Sequence, residues 1–183
     1  MIGEAFDAEF ASARAGDPAA LEALYRDLAP PVLGYLRAQG AGEPEDLASE
    51  VFVGVVRDLG RFQGDERSFR SWVFTIVHRR LLDERRRRYR RREEAVDPAL
   101  LPVLGPVADA EEEAMRRLGG RPALQALRRL TPDQRAVVLL RVLADLPVAE
   151  VARILGKSAG SVKTLQRRAL ARLAREISRE AVS

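Results

Sequence analysis

Residues 146–176 read LPVAEVARILGKSAGSVKTLQRRALARLARE, a stretch with the spacing of two helices joined by a tight turn. Ala152 is small enough to lie where the helices cross, Gly156 can adopt the positive φ that the turn requires, and Val162 can pack the second helix on the first. Ser158 is a suitable N-cap for that second helix. The stretch therefore predicts a helix-turn-helix unit.

Polar and basic side chains remain on the outer face of the second helix once the apolar positions are assigned to the interior. Side chains of these types contact base edges and phosphates when a helix enters the major groove of DNA. The alternative is an ordinary helical hairpin with a solvated basic face. We favour DNA contacts, and the candidate residues are Ser158, Ser161, Lys163, Thr164, Arg167 and Arg168.

Upstream of this unit, residues 93–115 contain seven acidic residues, three prolines and no basic residue. Because proline is not tolerated inside a helix, this composition predicts a flexible acidic linker. The linker separates one domain over residues 1–92 from another over residues 116–183. Both domains show helical periodicity without the alternation typical of strands, which predicts an all-α fold. In the second domain, TPDQ at residues 131–134 predicts a capping box at the start of a helix.

The first domain contains a helical pattern over residues 45–59 with one apolar and one polar face. The expected core stripe consists of Leu47, Val51, Val55 and Leu59, joined by Phe52 and Val56. Because side chains three and four residues apart share one side of a helix, the opposite side is left for a partner. That offered face carries Asp46, Ser49, Glu50, Val53 and Arg57.

Capping and proline signals define the helices on either side of this one. Asp17 followed by Pro18 predicts the start of a long helix, which Pro30 and Pro31 should end or kink. Ser68 is the expected cap of the other helix, whose core side is formed by Phe69, Trp72, Val73, Ile76 and Val77. Its outward side is expected to carry Ser71, Phe74, Thr75 and His78, so that an aromatic ring stands on a polar face.

The same helix continues into RRLLDERRRRYRRR, residues 79–92, which holds nine arginines. Such a run is often only a solvated surface, but a second basic surface in the C-terminal domain favours contact with nucleic-acid phosphates. Asp83 and Glu84 within the run have no neighbouring base or nucleophile. We therefore interpret these two carboxylates as salt-bridge partners and not as catalytic groups.

Composition excludes several classes of function. The chain of 183 residues has no cysteine and one histidine, which argues against a zinc site and a disulfide framework, and no cofactor is predicted. Its N-terminus lacks the pattern of a signal peptide, and no apolar run approaches the roughly 18 residues of a membrane span. We expect a cytoplasmic protein without membrane insertion. A nuclease or nucleotidyl transferase would need an acidic metal cluster or a glycine-rich phosphate loop, and the sequence has neither.

Three stretches in this order, residues 45–62, 68–88 and 126–173, resemble the small bacterial sigma factors of the extracytoplasmic-function type, which are group 4 of the sigma-70 family. The resemblance covers residues 5 to about 177. It implies a promoter-specificity subunit without catalysis of its own, whose partners are promoter DNA and core RNA polymerase with its β and β′ subunits. It also makes an inhibitory anti-sigma protein a candidate partner.

The resemblance assigns a role to each surface. The face with Asp46 and Glu50 would bind the polymerase's coiled coil, the C-terminal unit would read the −35 element, and the linker would thread the RNA exit path. The opened −10 strand would contact Asp65, Ser68, Ser71, Phe74, Thr75, His78, Arg79, Arg86, Arg87 and Arg88, with Phe74 stacking on an unpaired base and the arginines holding phosphates.

This sequence departs from the family at three places. Arg79 stands where many members have asparagine, Leu165 stands where many have arginine, and Pro147 replaces the usual polar cap of the first helix of the helix-turn-helix unit. The remaining alternative is a regulator that binds duplex DNA by itself through its C-terminal unit, with a sensor or dimerisation domain before it. Binding to core polymerase in the absence of DNA would separate the two.

Overall fold

The computed structural model describes residues 2–94 and 125–180, and every regular element in those two ranges is a helix. This confirms the all-α class. Residues 95–115 of the predicted linker lie outside the described residues. Residues 93 and 94, which were also assigned to the linker, belong to the last helix of the N-terminal part. Within the described residues, no helix is long and apolar enough to cross a membrane.

The N-terminal part consists of four α-helices and two short 3₁₀ turns. The α-helices are α1, Phe6–Arg14; α2, Pro18–Gln39; α3, Pro44–Asp58; and α4, Glu66–Glu94. The 3₁₀ turns are Gly3–Ala5 and Leu59–Arg61. Asp17 caps α2 as predicted, because its carboxylate accepts from the amide of Ala19 at 3.1 Å.

The C-terminal part begins with a helical turn at residues 125–128 and continues with three α-helices. These are α5, Pro132–Val142; α6, Val148–Leu155; and α7, Ala159–Glu180. Thr131 and Gln134 form the predicted capping box, and Ser158 Oγ accepts from the amide of Ser161 at 3.1 Å. Gly156 ends α6 with φ of 63°. The predicted helix-turn-helix unit, α6 and α7, is confirmed.

The helix α2 does not end at its proline pair. It continues through Pro30 and Pro31 to Gln39, where Gly40 terminates it with φ of 79°. Each proline removes one backbone donor from the helix. Leu28 and Val32, on either side of the pair, are buried in the core, so tertiary packing outweighs that loss. Of the two predicted outcomes, an end or a kink, the end is therefore wrong.

An aromatic cluster joins α1 to the start of α4. Phe10 contacts Phe62 and Phe69 with ring centroids 5.5 and 5.2 Å apart, and Trp72 lies 5.3 Å from Phe62. Trp72 is half-buried against the core, as predicted. Val56, which was assigned to the core stripe of α3, is instead 53% exposed, because α3 packs on α2 and α4 over a narrower stripe than the sequence suggests.

The two parts of the chain pack against each other, with α5 on α2 and α6 on α4. Their buried apolar side chains form one continuous cluster. Hydrogen bonds cross the boundary from Gln39 Nε2 to the carbonyl of Pro132 at 3.3 Å and from Arg135 Nη1 to the carbonyl of Ala38 at 2.8 Å. The sequence predicted two domains but not this contact between them.

Candidate polymerase and nucleic-acid interfaces

The offered face of α3 is exposed as predicted. Asp46, Ser49 and Glu50 are accessible, and Val53 is 69% exposed, which is a large exposed fraction for an apolar side chain. Glu50 Oε2 lies 3.7 Å from Arg80 Nη1 of α4, and Arg57 is paired with the adjacent Asp58 at 3.0 Å. The face is thus an apolar centre with carboxylates beside it, which is an arrangement suited to binding another protein.

The loop before α4 requires glycine at position 64. Gly64 has φ of 146°, and a Cβ at this position would lie 2.9 Å from Ser68 Cβ and 3.1 Å from the ring of Phe62. Asp65 and not Ser68 caps α4, because the carboxylate of Asp65 accepts from the amide of Ser68 at 2.8 Å. The hydrogen bonds from Ser68 lower the pKa of Asp65. Asp65 and Ser68 are both exposed, but the prediction that Ser68 caps α4 is wrong.

The outward face predicted for α4 is largely covered. Phe74 is fully buried and meets Tyr35 of α2 edge to face, with ring centroids 5.9 Å apart. Ser71 is also fully buried. The prediction that these two side chains point to solvent is wrong, because α4 packs on α2 and on α6 as well as on α3. A ring held in the core is not available for stacking on an unpaired base.

Thr75 and His78 of the same face are half-buried. Thr75 Oγ1 donates to the carbonyl of Ser71 at 2.8 Å, and His78 Nδ1 lies 2.9 Å from the hydroxyl of Tyr35. Burial lowers the pKa of His78, and the nearby Arg85 lowers it further. Burial also raises the pKa of Tyr35. The His78 and Tyr35 pair is therefore a neutral hydrogen-bonded unit at physiological pH.

A polar cluster joins α4 to α6 beside this pair. The hydroxyl of Ser71 donates to the carboxylate of Glu150, which is also paired with Arg153. Arg153 Nη2 in turn lies 3.0 Å from Ser71 Oγ. The hydrogen bond from Ser71 is the main cause that lowers the pKa of Glu150, so its carboxylate is ionised at neutral pH. We call these three residues the Ser71 cluster.

A buried arginine extends the contact between the two parts. Arg70 is 5% exposed, forms an ion pair with Asp27 of α2, and donates from Nε to the carbonyl of Ala144 at 3.3 Å. Its charge is thus compensated within the N-terminal part, while its Nε–H donates to the C-terminal part.

The arginine run has two kinds of member. Arg85 donates to the carbonyl of Gln39, and Arg88 donates to the carbonyl of Gly40 at 3.1 Å, so both satisfy acceptors at the C-terminal end of α2. Arg79, Arg86 and Arg87 are exposed, and Arg86 contacts Asp83 at 3.1 Å. Arg88, a predicted phosphate contact, is therefore also a structural residue.

The outer face of α7 is as predicted. Ser161, Lys163, Arg167 and Arg168 are exposed, and Thr164 is half-buried beside them. Val162 is fully buried, so the helix is held against α6 while its basic side faces solvent. Ser158 is exposed but uses its hydroxyl as the cap of α7. Within the described residues, no group of His, Cys, Asp or Glu is arranged to hold a metal ion.

Known protein families match both the N-terminal and the C-terminal part of the chain. The family described as Sigma-70 region 2 matches residues 24–91, and the family described as Sigma-70, region 4 matches residues 121–173. The ECF RNA polymerase sigma factor SigD of Mycobacterium tuberculosis is 32% identical over 189 aligned positions, which cover 97% of this chain and 86% of SigD. The chain belongs to the extracytoplasmic-function sigma factors of the sigma-70 family.

Two further comparisons place this sigma factor among its relatives. The ECF RNA polymerase sigma factor BldN of Streptomyces coelicolor is 37% identical over 165 residues, and the matched region spans 89% of this chain but 62% of BldN. The solved structure of CnrH in complex with the cytosolic domain of CnrY has a TM-score of 0.59 at 24% identity, covering 93% of this chain and 95% of that chain. The latter shows a shared fold.

Sequence reasoning about this sigma factor missed the residues that join its two parts. Glu150 and Arg153 resembled an ordinary acidic first turn and basic last turn of α6. In the structure, Phe69, Arg70 and Ser71 are three consecutive buried residues. Because neighbouring positions on a helix point in different directions, such a run means that the helix packs on more than one side. Its polar members concealed this in the sequence.

Proposed function

We propose that this chain binds core RNA polymerase in the cytoplasm and directs it to promoters with −10 and −35 elements, without catalysing a reaction itself. The observation that carries the proposal is the presence of both sigma-70 region 2 and region 4 on one chain. A regulator that acted alone through a helix-turn-helix unit would have no need of region 2.

The polymerase contact is assigned to α3. Its exposed face combines Val53 with Asp46, Ser49, Glu50 and Arg57, and none of these side chains belongs to the buried core. An apolar centre with a charged rim is typical of protein interfaces. This supports α3 as the helix that binds the β and β′ subunits.

The −35 contact is assigned to α7. Between positions 159 and 176 this helix carries five basic residues and one acidic residue. Lys163, Arg167 and Arg168 lie on its exposed side with Ser161, near the end that a helix-turn-helix unit directs into the major groove. Because arginine can donate two hydrogen bonds to a guanine, Arg167 and Arg168 are suited to base readout.

The −10 contact is assigned to the loop before α4 and to α4 itself. Asp65, Ser68, Arg79, Arg86 and Arg87 are exposed and available to DNA. The covered residues Ser71, Thr75 and His78 would join them only after the C-terminal domain moves away. The predicted boundaries, with a region 2 domain over 1–92, a linker over 93–115 and a region 4 domain over 116–183, are part of this proposal, and an inhibitory anti-sigma protein stays a predicted partner.

Core polymerase binding without DNA tests the proposal. The chain should be retained by immobilised core polymerase, and Asp46→Lys with Glu50→Lys should lower its affinity at least about tenfold, because charge reversal at a charged interface gives repulsion. A matched control reverses Glu4 and Asp7, which are exposed outside α3. Both double variants should unfold at the temperature of the parent protein. Retention of duplex promoter DNA but not of polymerase would instead identify a regulator that acts alone.

A further inference from the structure

The first residues of the chain contact the start of α4 through a single carboxylate. Glu66 Oε1 accepts from the amide of Ile2 at 2.6 Å, and Glu66 Oε2 accepts from the amide of Gly3 at 3.0 Å. Ile2 is right-handed, with φ of −71°, and Gly3 is left-handed, with φ of 72°. Successive amides in this pair of conformations point into one concavity that binds anions. We call the amides of Ile2 and Gly3 the N-terminal nest.

Apolar contacts hold the same segment in place. Ile2 is half-buried and packs against the core. Phe6, three residues after Gly3, is buried, and its ring stacks on Phe10 with centroids 5.2 Å apart. The ring of Phe6 also lies 5.8 Å from that of Phe69 in the first turn of α4. The N-terminal nest is therefore fixed relative to α4 by packing as well as by hydrogen bonds.

Glu66 lies within the stretch assigned to the −10 strand. In residues 63–68, which we call the −10 loop, Glu66 is half-buried and the other five residues are exposed. Asp65 precedes Glu66 directly and caps α4 by accepting from the amide of Ser68. Because Asp65 and Ser68 are on the same short piece of backbone as Glu66, the N-terminal nest restrains the residues that are offered to DNA.

We propose that Glu66 is a positioning residue for promoter binding and that the N-terminal nest is its support. Glu66 does not contact DNA in this role, and it acts by holding Asp65 and Ser68 in the arrangement that the −10 strand meets. The inference rests on the proposed function, because it takes these two residues as contacts of the strand. A loop that is ordered before binding loses less conformational entropy when it binds, so its ligand is held more tightly.

The charge of Glu66 gives a second reason for the nest. A carboxylate within a surface for nucleic acid repels the phosphates of an approaching strand. Here both oxygens of Glu66 accept from backbone amides that come from more than 60 residues earlier in the chain. An acidic residue in the first turn normally stabilises a helix by its effect on the helix dipole alone. That local effect would not depend on Gly3, which allows the two roles to be separated.

Two variants test the contact from its two sides. Glu66→Gln keeps the shape of the side chain but removes its charge, and Gly3→Ala strains a residue with φ of 72° although a Cβ there would meet nothing within 4 Å. In holoenzyme assembled with core polymerase, each should lower the affinity for a single-stranded −10 oligonucleotide by about three- to tenfold. The direction is informative for Glu66→Gln, because loss of a negative charge near DNA would otherwise raise the affinity.

Matched controls exist for both variants. Gly16→Ala adds a Cβ to another glycine of positive φ, 88°, with nothing within 4 Å, in the turn between α1 and α2. Glu4→Gln removes one exposed negative charge from the segment that carries the nest. Neither control should lower binding of the −10 oligonucleotide. All four variants should keep the parent's affinity for core polymerase and for the −35 duplex.

The double variant Gly3→Ala with Glu66→Gln decides whether the two residues act through one contact. If they do, it should bind the −10 oligonucleotide no more weakly than the weaker of the single variants. Amide hydrogen exchange over residues 63–68 should also be faster in both single variants than in the parent and the controls. Additive losses, an unchanged or raised affinity of Glu66→Gln, an equal loss in Gly16→Ala, or unchanged exchange would overturn the proposal. If the parent holoenzyme binds a −10 oligonucleotide no better than a scrambled one, the proposed function is wrong, and the positioning role falls with it whatever the exchange rates show.

Discussion

The helices α4 and α7 carry similar sequence patterns but are used differently. Each has an apolar stripe, a polar side and many arginines, and the polar side of each was predicted to contact DNA. On α7 that side is exposed, with Lys163 and Arg167 facing solvent. On α4 it is covered, with Ser71 and Phe74 fully buried. A polar face is thus a surface offered to a partner, and the partner can be another part of the same chain.

The difference arises from the number of neighbours that each helix has. In α7, the buried side formed by Val162 and Ala169 faces α5 and α6. In α4, packing against α2, α3 and α6 covers most of the circumference over residues 69–78. The sequence hint was Phe74, because phenylalanine is among the residue types that are most often fully buried.

The largest effect on stability should come from truncating the buried aromatic side chain of α4. Phe74→Ala is expected to lower the free energy of unfolding by about 3 to 5 kcal/mol, because it removes a fully buried ring. Leu170→Ala is the counterpart on α7, where the side chain is 51% exposed, and should change stability by less than about 0.5 kcal/mol. Denaturant titrations of both variants measure the contrast.

A small effect of Phe74→Ala on stability, together with slower promoter opening, would reverse the comparison and return Phe74 to the DNA-contacting surface. Permanganate footprinting of the −10 bases would detect that slower opening.

The next effect concerns base readout by α7. Arg167→Ala should weaken binding to the preferred −35 duplex by about 1 to 3 kcal/mol and relax preference at one position, as loss of a bidentate base contact does. Arg175→Ala is the control, because it lies two turns further along α7 and its Nε donates to the carbonyl of Ala171. Competition binding against a panel of −35 variants makes the measurement. A uniform loss across the panel would assign Arg167 to a phosphate.

Most of the fold could be predicted, because it follows from local signals. Asp17, Thr131 and Ser158 cap the helices that their positions indicated. The continuation of α2 through Pro30 and Pro31 could not be, because buried neighbours outweigh a local preference there.

The candidate sites also differ in whether local sequence or tertiary packing determines them. The faces of α3 and α7 follow from helical periodicity and are exposed as expected. The cover over α4 depends on Glu150, which is 79 positions away from Ser71 in the chain, and no period in the sequence connects them. The roles of individual residues in binding polymerase or DNA stay predictions.

A smaller effect, on the salt dependence of promoter binding, should distinguish the exposed arginines of α4 from the arginines that bond to α2. Arg86→Gln with Arg87→Gln should weaken promoter binding most at low salt, because each lost phosphate contact reduces the slope of log affinity against log salt by about 0.9 on duplex DNA. Sequence preference and stability should survive. Arg88→Gln should instead lower stability, since Arg88 donates to the carbonyl of Gly40 at the end of α2. Equal salt slopes for the double variant and the parent would assign Arg86 and Arg87 to solvent.

The smallest effect is a pH dependence of the covered face. The pKa of His78 is lowered by burial, and Arg85 and Lys157 lower it further while Asp133 opposes them. Tyr35 holds the neutral ring by a hydrogen bond at 2.9 Å. The unfolded chain therefore binds a proton more readily than the folded one, so stability is full above the ordinary histidine pKa of about 6.5 and falls as the pH drops below it. Between pH 7.5 and pH 5.5 we expect a loss of less than about 1.4 kcal/mol that His78→Gln abolishes. Chemical shifts of the single histidine, followed by NMR as the pH is lowered, measure its pKa directly. A measured pKa at or above the ordinary value of about 6.5 would show that burial does not hold the ring of His78 neutral.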